Sequence, residues 1–371
     1  MAGQWLSHPE NILADLSWKN ICQNHSDPDR MISPCIAINK ISEREDFSMA
    51  IPKLMRAAIR ALSKPDYDIK KTYRIVRRLE KVKGIQLVDP VYKPWNYYFT
   101  GGKREVPARI FESEKDRLTP NTLLFFHGGG WITGDIESYQ ETCIELSRMT
   151  GFRVISVDYR LAPEYRFPAA LDDCYLAAKE FFHRASFFHA QQDSVVLMGD
   201  SAGGNLAAAV SLKARDLGEF QFKKQILLYP SLYNDHNPET SPFDSVRENG
   251  TGNLLTAKQV DDYLELYKSS DEDLKDPYFA PLLESDFSNQ PDTLILSAEL
   301  DPLRDEGEAY GAELLKAGNL AEVHRIPEGL HGFFSNAGYL QQKKLSYQYI
   351  NRFLNEGISH EDKTDTMGKI R

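Results

Sequence analysis

The sequence is poor in cysteine and contains no long apolar run. Its 371 residues include four cysteines, Cys22, Cys35, Cys143 and Cys174, and no pair of them has the CxxC spacing of a zinc site. We therefore expect packing residues in a reducing, cytoplasmic environment rather than a disulfide framework. No stretch approaches the roughly 18 apolar residues of a membrane span, and the N-terminus lacks a basic segment followed by an apolar one. The sequence thus predicts no export signal and no stable membrane association.

Positive charge is scarce relative to negative charge. The chain has 44 Lys and Arg residues against 54 Asp and Glu residues, which gives a formal net charge of -10. Because that charge repels phosphate backbones, we expect no nucleic-acid partner. The hydrophobic share of 42% is that of a folded globular protein, which excludes disordered and fibrous classes. The length fits one core with an additional cap.

Residues 1–90 have helical periodicity and almost no strand signal. Between residues 45 and 62, apolar side chains recur at spacings of three and four, which predicts an amphipathic helix. Residues 67–83 combine an apolar stripe with many basic residues. Such a helix is either a membrane-surface anchor or a helix with a solvated outer face, and the acidic chain favours the second interpretation. We predict that residues 1–90 form an N-terminal helical cap region.

From residue 91 the pattern changes to short strands that alternate with helices. Two strands near 92–100 and 106–113 predict a hairpin with a turn at Gly101 and Gly102. Five later apolar runs lack polar alternation: 123–126, 154–157, 195–198, 226–229 and 294–296. Helices are predicted at 136–149, 168–186 and 202–216, and a last strand and helix at 323–326 and 337–355. Residues 91–355 thus predict a doubly wound α/β fold, a mostly parallel sheet with an antiparallel start and helices on both faces.

The segment between the strands at 226–229 and 294–296 is too long for a simple crossover. It contains a predicted helix near 256–267 and leaves the sheet at the carboxyl end of a strand. We therefore predict that this insertion, residues 232–290, contributes to a cap over that edge. Residues 356–371 are polar and charged, and we predict a frayed tail.

Residues 199–203, Gly-Asp-Ser-Ala-Gly, match the G-x-S-x-G pattern of a nucleophile elbow. The pattern places a serine on a sharp turn between a strand and a helix. The tight backbone there requires small residues two positions before and two positions after the serine. The predicted strand at 195–198 and the predicted helix at 202–216 supply this context, so Ser201 is the candidate nucleophile.

A second motif, His-Gly-Gly-Gly-Trp at residues 127–131, directly follows the strand at 123–126. Consecutive glycines let backbone N–H groups approach a substrate oxygen, so the segment is a candidate oxyanion hole. The alternative is a phosphate-binding loop, but Thr133 stands where a dinucleotide motif needs Gly, and no Gly-Lys-Ser/Thr follows. We expect His127 to shape the loop through hydrogen bonds and not to titrate in a reaction.

A serine hydroxyl needs a histidine that accepts its proton. Three histidines, His324, His331 and His360, follow both Ser201 and the insertion. His331 lies in a Gly-Leu-His-Gly-Phe turn after the last predicted strand and is the candidate base. His324 lies inside that strand, where a sheet-face role suits it better, and His360 lies in the charged tail.

The histidine in turn needs a carboxylate that fixes its tautomer. Asp301 follows the predicted strand at 294–296, where a loop can hold its side chain in place, and it is the preferred candidate. Asp305 is the second candidate, since an acid at the start of a helix commonly interacts with the helix dipole instead. Glu299 is a further alternative.

Together these motifs resemble the hormone-sensitive-lipase-like branch of the α/β-hydrolases, which includes many microbial carboxylesterases. The similarity extends over residues 90–355 and rests on four ordered motifs at 127–131, 199–203, 301–305 and 331–333. Supporting matches occur at 158–164 and 276–282. The resemblance implies an α/β-hydrolase fold with a helical cap.

The resemblance also implies roles for individual residues. The catalytic residues would be Ser201 as nucleophile, Asp301 as orienting acid and His331 as base. The oxyanion hole would comprise Gly128, Gly129, Gly130 and Ala202, with Gly128 shaping the loop and the other three amides donating. We expect Asp200, Asp158 and Arg160 to make supporting contacts. The candidates for the substrate pocket are Trp131, Tyr165 and Phe333.

The implied function is that of a serine carboxylesterase, which hydrolyses small-molecule esters with short to medium acyl chains and needs no metal or cofactor. Two other functions use the same residues: a non-catalytic receptor that binds a small molecule, and an amidase or peptidase. All three candidate catalytic residues are present, which favours an enzyme over a receptor. We expect residues 1–45 to narrow the substrate range or to mediate contacts in a homodimer.

Overall fold

The computed structural model describes residues 68–83, 94–101, 104–112, 119–336 and 338–358. The helix predicted between residues 45 and 62, Gly102 of the predicted turn, and most of the predicted tail lie outside the described residues. None of the helices in the described part of the chain combines the length and the apolar character that crossing a membrane requires.

Eight strands of the described chain form one sheet. They are β1 (Trp95–Gly101), β2 (Arg104–Phe111), β3 (Thr122–Phe126), β4 (Arg153–Val157), β5 (Val195–Asp200), β6 (Lys224–Leu228), β7 (Asp292–Leu300) and β8 (Ala321–Leu330). Their order in the sheet is β1-β2-β4-β3-β5-β6-β7-β8. β2 pairs antiparallel with β1 and β4, and the other pairs are parallel. The predicted antiparallel start of a mostly parallel sheet is confirmed.

Helices cover both faces of this sheet. They are α1 (Ile69–Lys83), α2 (Gln140–Thr150), α3 (Ala169–His183), α4 (Ala202–Leu217), α5 (Asp244–Asn249), α6 (Ala257–Tyr267), α7 (Arg304–Lys316) and α8 (Leu340–Glu356). One apolar cluster joins α3, α4 and α7 to one face of the sheet, and a second cluster joins α2 and α8 to the other face. The doubly wound architecture is therefore confirmed.

Strand β3 shows why the predicted strands lack polar alternation. Leu124 and Phe126 pack into the cluster on one face of the sheet, whereas Leu123 and Phe125 pack into the cluster on the other. All four side chains are fully buried. Because successive side chains of a strand point to opposite faces, a strand covered on both sides is apolar throughout.

Strand β8 is longer than the sequence predicts. It continues to Leu330, although the predicted strand covers only 323–326, and it includes Pro327 and Gly329, which are unfavourable inside a strand. β8 lies at the edge of the sheet and pairs with β7 alone among the described strands. Since an edge position does not need the missing N–H group of proline, the strand continues through it to the loop that carries His331.

The insertion between β6 and β7 contains the two helices α5 and α6 and short 3₁₀ turns. Helix α6 lies at the predicted position, and its start is explained by the sequence. The side chain of Thr256 accepts a hydrogen bond from the backbone N–H of Gln259, and the Gln259 side chain accepts one from the backbone N–H of Thr256. This reciprocal pair satisfies two N–H groups that a helix terminus leaves free.

Helix α1 corresponds to the predicted basic helix, but its basic side chains are not all solvated. Ile69 and Tyr73 are buried in the apolar cluster. Lys70 forms an ion pair with Asp262 of α6 at 3.2 Å. Arg77 is half-buried and donates hydrogen bonds to backbone carbonyls of the sheet domain. The prediction of a solvated outer face is therefore corrected for Arg77, whereas Lys70 is exposed as predicted. Both residues attach α1 to the rest of the fold.

Candidate active site

Ser201 lies on a strained turn between β5 and α4. Its backbone has φ 56° and ψ -120°, a conformation that a residue with a side chain rarely adopts. The flanking glycines are required sterically: a Cβ on Gly199 would lie 2.2 Å from the carbonyl oxygen of Gly203, and a Cβ on Gly203 would lie 1.9 Å from that of Phe126. The G-x-S-x-G pattern thus reflects close backbone packing at this turn.

His331 connects Ser201 to a buried carboxylate. Its Nε2 atom lies 2.8 Å from the Oγ atom of Ser201, and its Nδ1 atom lies 2.7 Å from Oδ2 of Asp301. Asp301 is fully buried just beyond β7, and its Oδ1 atom accepts a hydrogen bond from the backbone N–H of Leu303 at 3.0 Å. Three residues from distant parts of the sequence therefore form one hydrogen-bonded chain.

The alternative acids make other contacts. Asp305, in the first turn of α7, accepts a hydrogen bond from the backbone N–H of Ser245 and forms an ion pair with Arg304. Glu299 accepts a hydrogen bond from the backbone N–H of Glu328. Their positions explain why one carboxylate among three similar candidates meets the imidazole.

Of the two alternative histidines, His324 makes other contacts. The ring of His324 is buried and stacks on Tyr349 with the ring centroids 3.8 Å apart, near Arg352 of α8. This is the sheet-face position that the sequence predicts for His324. His360 lies outside the described residues.

We call residues 127–131 the glycine loop. Gly129 has φ 115° and Gly130 has φ 61°, and a Cβ at Gly129 would lie 2.3 Å from the carbonyl oxygen of Thr133. Together with Ala202, Gly129 and Gly130 line a cleft of about 320 Å³ that also contains Ser201 and His331. Ala202 is the first residue of α4, where the backbone N–H has no partner within the helix. The arrangement supplies backbone donors beside the serine.

Gly128 differs from the other glycines of the loop because its N–H group is already engaged. It donates to Oδ1 of Asp200 at 2.8 Å and lies 3.1 Å from the hydroxyl of Tyr139. Gly128 therefore shapes the loop and does not present its N–H to a ligand. This agrees with the shaping role expected for Gly128, and Gly129, Gly130 and Ala202 stay the predicted oxyanion donors.

His127 is buried behind the glycine loop. Its Nδ1 atom lies 2.8 Å from the carbonyl oxygen of Gly128, and its ring stacks on Tyr159 at 4.3 Å. Burial lowers the pKa of His127 to about 4, so the ring is neutral near neutral pH. The expectation that His127 shapes the loop by hydrogen bonding is confirmed.

The three residues predicted to line the substrate pocket lie in three different surroundings. Trp131 lines the cleft, with its ring stacked on Tyr267 at 4.4 Å. Tyr165 is half exposed and lines a different cavity, next to Arg160. Phe333 is fully buried and packs against Tyr229 at 5.1 Å. The predictions for Tyr165 and Phe333 are therefore corrected: one side chain faces a second surface cavity, and the other faces the core.

Sequence reasoning missed the apolar wall of the cleft. Four side chains of the insertion form it: Leu254, Leu255, Val260 and Tyr263. Tyr263 approaches most closely, since a Cβ on Gly130 would lie 2.4 Å from its ring. The only signal was the length of the insertion, which indicated a cover at this edge without identifying the side chains that face Ser201.

Charged groups beside the cleft do not form a metal site. Within the described ranges, no group of three or more His, Cys, Asp or Glu side chains is arranged to hold a metal ion. Asp200 is buried, and burial raises its pKa to about 6 although Tyr139, Gly128 and His331 act in the opposite direction. Its carboxylate is therefore charged at neutral pH and surrounded by hydrogen-bond donors.

A doubly wound sheet with a serine at a strand-to-helix turn, followed along the chain by an acid and a histidine, is the arrangement of the α/β-hydrolases as a class. Residues 123–335 match a family model described as the alpha/beta hydrolase fold. The chain belongs to this family, in its hormone-sensitive-lipase-like carboxylesterase branch.

Named relatives agree with this assignment. The chain is 37% identical over 233 residues to an arylesterase of Saccharolobus solfataricus, a match that covers 62% of this chain and 74% of the relative. It is 39% identical over 243 residues to the carboxylic ester hydrolase LipN of Mycobacterium tuberculosis, covering 63% of this chain and 62% of that protein. The hyperthermophilic esterase of Pyrobaculum calidifontis superposes with a TM-score of 0.73 at 30% identity, over 82% of this chain and 98% of that one. The prediction of a carboxylic ester hydrolase is confirmed.

Proposed function

We propose that this enzyme hydrolyses esters with short to medium acyl chains through an acyl-enzyme intermediate on Ser201. The observation that carries the proposal is the hydrogen-bonded chain from Ser201 Oγ to His331 Nε2 at 2.8 Å and from His331 Nδ1 to Asp301 Oδ2 at 2.7 Å. A serine hydroxyl becomes an effective nucleophile when an adjacent base accepts its proton and a third group orients that base.

The proposed reaction has two acyl-transfer steps. Ser201 Oγ attacks the ester carbonyl carbon while His331 Nε2 accepts the hydroxyl proton, and the alcohol then leaves with a proton returned by His331. Water repeats the sequence on the acyl-enzyme and releases the acid. Asp301 holds the Nδ1–H tautomer and stabilises the imidazolium that forms in each step.

The glycine loop supports the same reaction. The tetrahedral intermediate carries a negative oxygen, and the N–H groups of Gly129, Gly130 and Ala202 border the cleft beside Ser201. Preorganised donors of this kind stabilise charge that develops in the transition state. Trp131 follows the glycines directly and closes the wall of the cleft next to them.

The size and the lining of the cleft support the proposed substrate class. At about 320 Å³ the cleft lies at the small end of the range for ligand pockets. Leu254, Leu255 and Val260 give it an apolar wall that suits an acyl chain. A small apolar cleft favours short to medium acyl groups over long ones.

We also propose an organisation and a setting for the enzyme. Residues 1–90 and the insertion 232–290 together form the cap, which the contact of α1 with α6 through Lys70 supports. The buried free thiols of Cys143 and Cys174 suit a cytoplasmic location. The net charge of -10 suits a small ester as partner rather than nucleic acid or a membrane surface. A homodimer stays a prediction, which analytical ultracentrifugation would test.

The test compares the wild-type protein with Ser201→Ala and Ser231→Ala, since Ser231 is another serine of the cleft. We expect Ser201→Ala to lower turnover of p-nitrophenyl butyrate on the order of a millionfold, as in other triad hydrolases. A fluorophosphonate probe should label wild type and Ser231→Ala but not Ser201→Ala.

Four outcomes would overturn parts of the proposal. Labelling of Ser201→Ala equal to wild type would exclude Ser201 as the nucleophile, and absence of turnover and labelling in wild type would indicate a receptor. Faster cleavage of a butyryl anilide than of the matching ester would indicate an amidase. A series of acetyl, butyryl, octanoyl and palmitoyl esters tests the proposed acyl-chain length. A maximal hydrolysis rate with the palmitoyl ester would contradict the preference for short to medium chains.

A further inference from the structure

We propose that Asp200 is a positioning residue whose carboxylate joins the glycine loop to the histidine loop, residues 331–336, and so holds the oxyanion donors in register with the base. The inference rests on the proposed function, because it assigns a role in the same acyl transfer. Asp200 immediately precedes Ser201 in the sequence, yet its side chain points away from the serine hydroxyl toward buried partners.

The first half of the connection is to the glycine loop. Oδ1 of Asp200 accepts the hydrogen bond from the Gly128 N–H at 2.8 Å, and Asp200 is almost fully buried. The contact is tightly packed, since a Cβ on Gly128 would lie 2.9 Å from Oδ2 of Asp200. Gly128 is followed directly by Gly129 and Gly130, so fixing its peptide unit also restricts where the next two N–H groups point.

The second half of the connection is to the histidine loop. Oδ2 of Asp200 accepts hydrogen bonds from the hydroxyls of Tyr139 at 3.0 Å and Tyr229 at 3.3 Å. The Tyr229 ring meets the imidazole of His331 edge to face at 5.1 Å. Both tyrosine hydroxyls also interact with the side chain of Ser335. The carboxylate therefore contacts the glycine loop directly and reaches the histidine loop through the two tyrosines.

The chemistry of the partners favours a positioning role over proton transfer. An ionised carboxylate only accepts hydrogen bonds, and here each oxygen faces a neutral donor. Removing the carboxylate takes a shared acceptor from the buried Gly128 N–H and from two buried hydroxyls, and buried donors that lose an acceptor shift toward their remaining partners. A displacement of about 1 Å in catalytic geometry costs roughly a hundredfold in rate, so the effect of Asp200 should appear in turnover.

The experiment compares Asp200→Leu with Asp200→Asn. Leucine removes every acceptor, whereas the asparagine oxygen can still accept the Gly128 N–H. We expect Asp200→Leu to lower kcat for p-nitrophenyl butyrate by about 10- to 100-fold with KM within about threefold, and Asp200→Asn to recover most of that loss. Inhibition by an alkyl trifluoromethyl ketone, whose tetrahedral adduct carries the same oxyanion, should weaken in parallel with kcat/KM.

The controls separate this inference from the proposed function. Wild type must hydrolyse the ester and Ser201→Ala must not; if that fails, the proposed function is wrong, whatever the Asp200 variants do. Given an active wild type, normal kcat in Asp200→Leu overturns the inference, and so does a loss of kcat with unchanged ketone inhibition. If Asp200→Leu does not fold, the double variant Tyr139→Phe/Tyr229→Phe replaces it, with the same parallel loss expected and wild-type behaviour as the contrary result.

Discussion

Arg77 of helix α1 donates a hydrogen bond from Nε to the carbonyl oxygen of Ile132 at 2.5 Å, at the residue that follows the glycine loop. Its Nη2 atom donates to the carbonyl oxygen of Ala162 at 2.6 Å, and its guanidinium pairs with the Glu164 carboxylate at 3.0 and 3.1 Å. Ile132 and Ala162 are fully buried. The side chain thus joins the N-terminal helix to the segment behind the oxyanion donors.

Arg77→Ala should therefore destabilise the protein. It leaves two buried carbonyl groups without their donor, and each such loss costs about 1 to 3 kcal/mol. We expect a lower urea midpoint and a free energy of unfolding reduced by roughly 2 to 4 kcal/mol at pH 7.5. Arg78→Ala is the matched control, because Arg78 is an exposed arginine on the same helix. Equal midpoints for the two variants would contradict the contact.

Asp301→Asn should lower activity, whereas Asp305→Asn should lower stability. Asp301→Asn removes the charge that fixes the tautomer of His331, and the analogous change in other serine hydrolases lowers kcat by about 10⁴-fold. Asp305→Asn should keep kcat within about tenfold. It should instead lower the melting temperature, because Asp305 accepts from Ser245 and pairs with Arg304. Steady-state kinetics and thermal melts check both, and a larger kcat loss in Asp305→Asn would reverse the assignment.

The sheet could be predicted from the sequence because the apolar pattern that marks each strand involves only neighbouring residues. Phe125 and Phe126 are adjacent and apolar because each faces a different helical layer, and this requirement is visible without knowing the partners. The turn at Ser201 is equally local, since its steric limits fall on Gly199 and Gly203. His331 could be predicted because it lies in a flexible turn after the last strand. From such a position an imidazole can reach the serine at the end of β5.

The apolar wall and the partners of Asp200 could not be predicted because these contacts join residues far apart in the sequence. Asp200 meets Gly128 across 72 positions and Tyr139 across 61. Tyr263 reaches the cleft only through the path of the whole insertion. Phe333 was predicted to line the pocket, and that prediction was wrong. Phe333 stands two residues from His331, yet its side chain points into the core, because neighbouring side chains of a short turn diverge.

Gly130→Ala should lower activity because the new methyl group clashes with the ring of Tyr263, and Tyr263→Ala should relieve that clash. The new Cβ would lie 2.4 Å from the Tyr263 ring, at a backbone φ of 61°. Because the ring and the loop must separate, we expect kcat/KM to fall by about 10- to 100-fold. Tyr263→Ala in the same chain should restore part of the loss, since it removes the ring. Ester hydrolysis by the two single variants and the double variant measures this coupling, and a double variant no better than Gly130→Ala would contradict it.

Asp158→Asn should stabilise the protein at neutral pH and not at acid pH. Burial, followed by the nearby charges of Asp135 and Glu137, raises the pKa of Asp158 from 3.8 to about 6. The folded protein therefore binds this proton more tightly than the unfolded chain, so ionisation costs stability as pH rises from about 4 to 6, up to roughly 3 kcal/mol. The neutral amide removes that cost above pH 6. We expect a gain of about 1 to 3 kcal/mol in unfolding free energy at pH 7.5 and none near pH 4. Asp193→Asn, at an exposed aspartate, is the control, and an equal gain at both pH values would exclude ionisation of Asp158 as the cause.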